Sequence, residues 1–76
     1  MVQELDRVIL QTDLPEHGLI AGDLGTVVLI HKNNVGYEIE FFAMTGDTIT
    51  VASVPTDSVR PVRRTEVAHV RQLVAA

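Results

Sequence analysis

The sequence predicts a mostly β domain, a small barrel of five short strands followed by a C-terminal tail. Three observations predict it: apolar residues recur mainly with a two-residue period, the apolar blocks are short, and residues of turn chemistry separate them. A period of two places one set of side chains on a buried face and the other in water. Seventy-six residues suffice for one core, and a chain of this size buries about 60% of the surface its unfolded form exposes.

Taken in order, residues 7–11 are the first strand candidate. Residues 12–24, with Pro15, Gly18, Gly22 and Asp23, form a long connection. Residues 25–31 (GTVVLIH) are rich in β-branched side chains and apolar on both faces, the pattern of a central strand. Lys32-Asn33-Asn34 predicts a tight turn, because asparagine tolerates the left-handed backbone such turns need. Across residues 35–42, Tyr37, Ile39 and Phe41 point one way and Glu38 and Glu40 the other. Met44-Thr45-Gly46-Asp47 supplies the next turn. Residues 48–54 alternate again, with Ile49 and Val51 expected inward and Thr48 and Thr50 outward. Residues 55–58 read as one helical or 3-10 turn, and residues 59–62 as the last strand.

This loop-length profile predicts an SH3-like barrel over residues 1–63, with residues 12–24 as its long first loop. Closing the sheet protects strand edges in a chain too small to cover them with helices. The expected core is Val8, Leu10, Val27, Leu29, Ile39, Phe41, Ile49, Val51 and Val59. Residues 64–76 form a tail that reads as a C-terminal helix or an extra strand. As a helix, residues 65–76 align Val67, Val70, Leu73 and Val74 behind Thr65 as N-cap. As a strand they gather Val67, His69, Arg71 and Leu73, a poorer match, so helix is favoured.

The net charge is −4 and is unevenly spread. Residues 1–59 carry nine Asp and Glu against Arg7 and Lys32, whereas residues 60–76 carry four arginines against Glu66. An acidic body repels phosphate backbones, which disfavours a general nucleic-acid binder. There is no cysteine, so thiolate metal sites, disulfides and cysteine nucleophiles are excluded. The N-terminus is acidic where a secretory signal carries positive charge, and its apolar run is only Val8, Ile9 and Leu10. A cytoplasmic chain with no membrane segment is expected.

No catalytic constellation stands out. His17, His31 and His69 have no spacing that gathers metal ligands, so no metal and no cofactor is expected. Glu38 and Glu40 share a strand face, which is ordinary for a solvated face and lacks the pocket that acid–base pairs require. Neither Ser53 nor Ser58 sits in a Gly-x-Ser-x-Gly setting. The glycines of GLIAGDLG lead into a strand, not a helix, and lack a P-loop lysine. With no Trp, one Tyr and two Phe, the chain also lacks the aromatic groove that grips proline-rich peptides. Phe42 breaks the polar face of its strand: exposed, it anchors a partner; covered, it lies under the C-terminal segment. The arginines of RPVRRTEVAHVRQL either pair with the acidic body or contact a partner.

The segments LPEHGLIAGDLGTVV, YEIEF and TITVASVPTDSVRPV resemble the small bacterial proteins of domain-of-unknown-function family 4926. The resemblance runs from about Leu5 to Val62, and EVAHVR near the end also looks familial. It implies a barrel and a bacterial origin, and it transfers no catalytic residue. Residues 22–30 also resemble the KOW motif of barrels in transcription and ribosomal proteins. Those domains usually carry basic RNA-facing loops, whereas this one carries Asp13, Glu16 and Asp23.

The expected function is therefore a non-enzymatic protein-binding module, by analogy an antitoxin-like or accessory partner of a neighbouring gene product. The alternative is a KOW-like nucleic-acid-binding domain using the basic tail. Candidate partner-binding residues are Glu16, His17 and Leu19 in the long loop, Phe42, and Arg60, Arg63, Arg64 and Arg71. A homodimer is also expected, because 46% apolar residues leave more apolar surface than one small core hides.

Overall fold

The computed structural model describes residues 2–73. Five strands form one antiparallel sheet: β1 (Arg7–Leu10), β2 (Leu24–Ile30), β3 (Gly36–Phe42), β4 (Thr48–Pro55) and β5 (Val59–Pro61). Their order is β4-β3-β2-β1-β5. With a long first loop and a 3-10 turn at Thr56–Ser58 before the last strand, this is the expected SH3-like topology. The outermost strands both feed one core, β4 through Ala52 and Val54 and β5 through Val59.

Tight turns set the hairpins. Asn33 and Asn34 have φ of 62° and 53°, the left-handed conformation that asparagine accepts more readily than other side chains. Gly46, at φ 94°, closes the β3–β4 connection with its N–H donating to the Ala43 carbonyl. The long loop is itself ordered as a small hairpin. Leu14 and Leu19 exchange backbone hydrogen bonds of 2.9 and 3.2 Å across a 3-10 turn at Pro15–His17. That pairing turns Leu19 into the core, where it is 2% exposed.

The core comprises Val8, Leu10, Leu19, Val27, Tyr37, Ile39, Phe41, Ala52, Val54 and Val59. Each fully buried large side chain contributes about 1.5–3 kcal/mol relative to exposure. Among the described residues no buried side-chain nitrogen or oxygen lacks a partner. Gly25 belongs to the packing: a Cβ there would run into the Ile39 side chain and approach the Glu40 carbonyl to 3.1 Å.

Three expected core residues are placed otherwise, and two bulges explain them. In the β2–β3 ladder Val27 opposes Ile39 but Leu29 opposes Glu38, so Val28 is an extra residue. Beyond it the alternation reverses: Leu29 turns outward, 50% exposed, and Ile30 packs on the core. In the β3–β4 ladder Phe41 opposes Thr50 and Phe42 opposes Thr48, which makes Ile49 the extra residue. Ala52 and Val54 then face inward against Ile39 and Tyr37, while Val51 is 50% exposed and Ile49 half-buried. A shift of one residue exchanges every side chain between faces.

The favoured tail helix does not form. Residues 62–73 leave β5 without helix or strand, apart from a turn near residues 64 and 65. Thr65 therefore caps nothing, and Val74, with the rest of residues 74–76, lies outside the described residues. Instead Glu66 bonds Arg60 of β5 and Arg71 bonds Asp23 of the long loop, as described next.

Candidate apolar groove beneath a tethered tail

Strand β1 buries Val8 and Leu10 and turns Ile9 to the outer side of the sheet. Ile9 pairs with Leu24, and the register that joins Gly25 to Phe41 carries Leu24 on to Phe42. The three half-buried side chains form an apolar row across the outer face of β1, β2 and β3. The Arg7 guanidinium stands 5.7 Å from the centroid of the Phe42 ring, within cation–π range.

The C-terminal segment passes over this row. Between them lies a groove of about 730 Å3, with Ile9, Leu24 and Phe42 on the barrel side and Val67, Val70 and Leu73 on the tail side. A smaller groove of about 400 Å3 links Glu16 and His17 to Ile49, Thr50 and Leu73. The tip of the long loop thus borders the end of the tail.

Two charge-assisted clasps hold the segment. At the first, Arg60 Nη1 and Nη2 donate to the two Glu66 carboxylate oxygens at 3.0 and 2.5 Å. The backbone N–H of Arg63 also donates to Glu66 Oε1 at 2.6 Å. The Arg60 bond, followed by the Arg63 N–H, holds the Glu66 carboxyl down to about 2, below its ordinary 4.5. At the second, Arg71 Nε and Nη2 donate to Asp23 Oδ1 and Oδ2 at 2.8 and 2.6 Å, and Nη2 also reaches the Gly18 carbonyl at 3.2 Å. Partial burial opposes ionisation of Asp23. The bonds from Arg71 and from the Ile20 N–H outweigh it and lower the carboxyl. Paired fork geometry makes such contacts specific, but exposed ion pairs contribute little stability individually.

A second polar cluster lies on the outer face. His31 Nε2 is 2.6 Å from Glu38 Oε2, the Ser53 hydroxyl donates to the same oxygen, and Ser53 Oγ lies 3.5 Å from the same nitrogen. The Ser53 and then the His31 contact lower the Glu38 carboxyl. A nucleophile relay needs the imidazole between carboxylate and hydroxyl, using opposite ring nitrogens. Here the carboxylate stands between, so the cluster is not built as a relay. Glu40 accepts from the Thr48 hydroxyl in the same cross-strand manner. No group of three or more metal-ligating side chains occurs among the described residues.

The structure brings some of the candidate partner-binding residues together and separates others. Glu16 and His17 are exposed at the loop tip. Leu19 is a core residue, 2% exposed, at the floor of the groove. Phe42 is half-buried under Arg7 and beside the tail, between the two placements open to it. Arg60 and Arg71 pair with carboxylates of the same chain, while Arg63 and Arg64 make no ion pair among the described residues. Asp23, Ile9 and Leu24 escaped sequence reasoning. Asp23 serves the long loop as a turn residue, accepting from the Ile20 N–H at 2.9 Å. The signal for the apolar row was the doubly apolar character of β1 and β2.

The family model described as Domain of unknown function (DUF4926) matches residues 4–61. The chain belongs to this family. Within this member the matched segment ends with β5, so the barrel, the long loop and Asp23 lie inside it and the tethered tail beyond it. No curated protein and no solved structure matches the chain. No helix among the described residues is long and apolar enough to cross a membrane.

Proposed function

We propose that this DUF4926 member is a non-enzymatic protein-binding module whose contact face is the outer row of Ile9, Leu24 and Phe42. The observation that carries the reading is the groove itself: an apolar row left half-buried under a segment tethered by ion pairs instead of packing. Val67 is 90% and Val70 67% exposed, so the segment fills the groove loosely. Apolar surface of this kind, rimmed by charge, marks interaction sites. By analogy the biological role is that of an accessory or antitoxin-like partner of a neighbouring gene product in a bacterial cytoplasm. The pairing of Arg60 and Arg71 within the chain leaves two tail arginines, Arg63 and Arg64, for phosphate contacts, which weighs against the nucleic-acid alternative.

Co-purification of tagged protein from its native host tests the reading. A stoichiometric protein partner, lost on Phe42→Asp, is the expected result. A lone monomer at native expression level overturns it. Light scattering of the purified chain separates a hetero-complex from a homodimer, the other association that exposed Leu29 and Val51 would serve.

A further inference from the structure

We propose that Asp23 and the Gly18 carbonyl form a socket for an arginine carried on an extended segment of a protein partner, and that Arg71 occupies it in cis until that segment arrives. The inference rests on the protein-binding reading and names the chemistry of the partner. Three acceptors converge on one guanidinium: both Asp23 oxygens and the Gly18 carbonyl, at 2.8, 2.6 and 3.2 Å. The planar fork of arginine matches them, whereas the point charge of lysine does not engage all three in that geometry.

Loop and β1 groups hold the acceptors of the socket in place. The Ile20 N–H fixes the Asp23 carboxylate at 2.9 Å. Gly18 ends the 3-10 turn at φ 70°, with its N–H donating to the Pro15 carbonyl. The loop is anchored to β1 by hydrogen bonds from Leu10 N–H to the Asp23 carbonyl and from Gly22 N–H to the Leu10 carbonyl. Charge selects the same occupant: residues 12–24 hold Asp13, Glu16 and Asp23 and no lysine or arginine. The shape of the occupant is set by the tail, which crosses the groove without helix or strand and presents Val67 and Val70 before Arg71. A partner segment therefore carries small apolar residues within a few positions of an arginine, and it competes against a tail held by exposed contacts.

The test uses the full chain and a fluorescent peptide with the sequence of residues 65–73. Fluorescence anisotropy is measured with wild type, Arg71→Ala and Asp23→Asn/Arg71→Ala. Saturable binding to Arg71→Ala is expected. Wild type binds about five- to tenfold more weakly because its own tail holds the site, and the double variant loses binding. Asn at position 23 keeps an oxygen for the Ile20 N–H, so the loop stays folded. A peptide with alanine in place of its arginine leaves the protein untouched and also fails to bind. Equal binding by the three proteins, or binding indifferent to the peptide arginine, overturns the proposal. Displacement by free arginine at the peptide's own concentration overturns the requirement for an extended segment. If the double variant still captures the native partner, the module reading stands and the socket is removed from it.

Discussion

The barrel and the C-terminal segment of this DUF4926 member are held by opposite means. The barrel buries ten apolar side chains around Ile39 and Phe41 with no unpartnered buried side-chain nitrogen or oxygen among the described residues. The segment over residues 62–73 exposes its valines and is tied down by two guanidinium–carboxylate clasps. Apolar burial is cooperative and survives salt; exposed ion pairs are individually weak and screened. The two regions should therefore separate under perturbation, the tail leaving first and the barrel remaining. That separation is what the proposed contact face requires.

The largest effect is expected in the barrel. Phe41→Ala removes a ring that is 1% exposed and should cost about 3–5 kcal/mol. A chain of this size holds roughly 4–11 kcal/mol in total, so urea titration should find the variant largely unfolded or nearly so. Survival with an unchanged midpoint would show that the core is not where stability resides. Gly25→Ala comes next, at about 1–3 kcal/mol, because Ile39 and the Glu40 carbonyl leave no room for a methyl group.

Acid should act on the tail before the barrel. Asp23 and Glu66 both have carboxyls below their ordinary values of 3.8 and 4.5. Their clasps are thus fully present above those values and are lost as pH falls through the lowered ones, about 2 for Glu66. Nitrogen-15 relaxation of residues 66–73, which reads how firmly the segment is held, should therefore stay constant from pH 7 to 5 and show a freed segment on further acidification. Release between pH 7 and 5 would mean that another group tethers the segment. A smaller effect is expected from Arg71→Ala at neutral pH. Mobility of the tail by nitrogen-15 relaxation should rise while the unfolding midpoint of the barrel stays where it was. A coincident drop in both would join the two regions into one cooperative unit. The smallest expected signal is with RNA: titration at low salt should show no binding that falls steeply with added salt.

Much of the barrel could be read from residue order alone. Strand positions follow from β-branched blocks, and the turns at Asn33-Asn34 and Gly46 follow from which residues tolerate a left-handed backbone. The inward sets on β1 and β3 also follow from alternation. Two kinds of information were not local. Ladder register across the bulges at Val28 and Ile49 depends on the neighbouring strand, and it turned Leu29 and Val51 outward and Ala52 and Val54 inward. Helical periodicity in the tail was real as a pattern, but it lost to contacts separated by 48 residues, as between Arg71 and Asp23.

The candidate site divides the same way. An acidic loop, a basic tail and the absence of cysteine chemistry follow from residue identity alone. The sequence also singled out Phe42, Arg60 and Arg71. That Leu19 is core, that Ile9, Leu24 and Phe42 form one row, and that Arg71 pairs with Asp23 beside it emerge only in the folded chain. Those outcomes rest on pairing distant segments, and the free energy that selects among such pairings belongs to the packed sheet as a whole and not to any stretch of it.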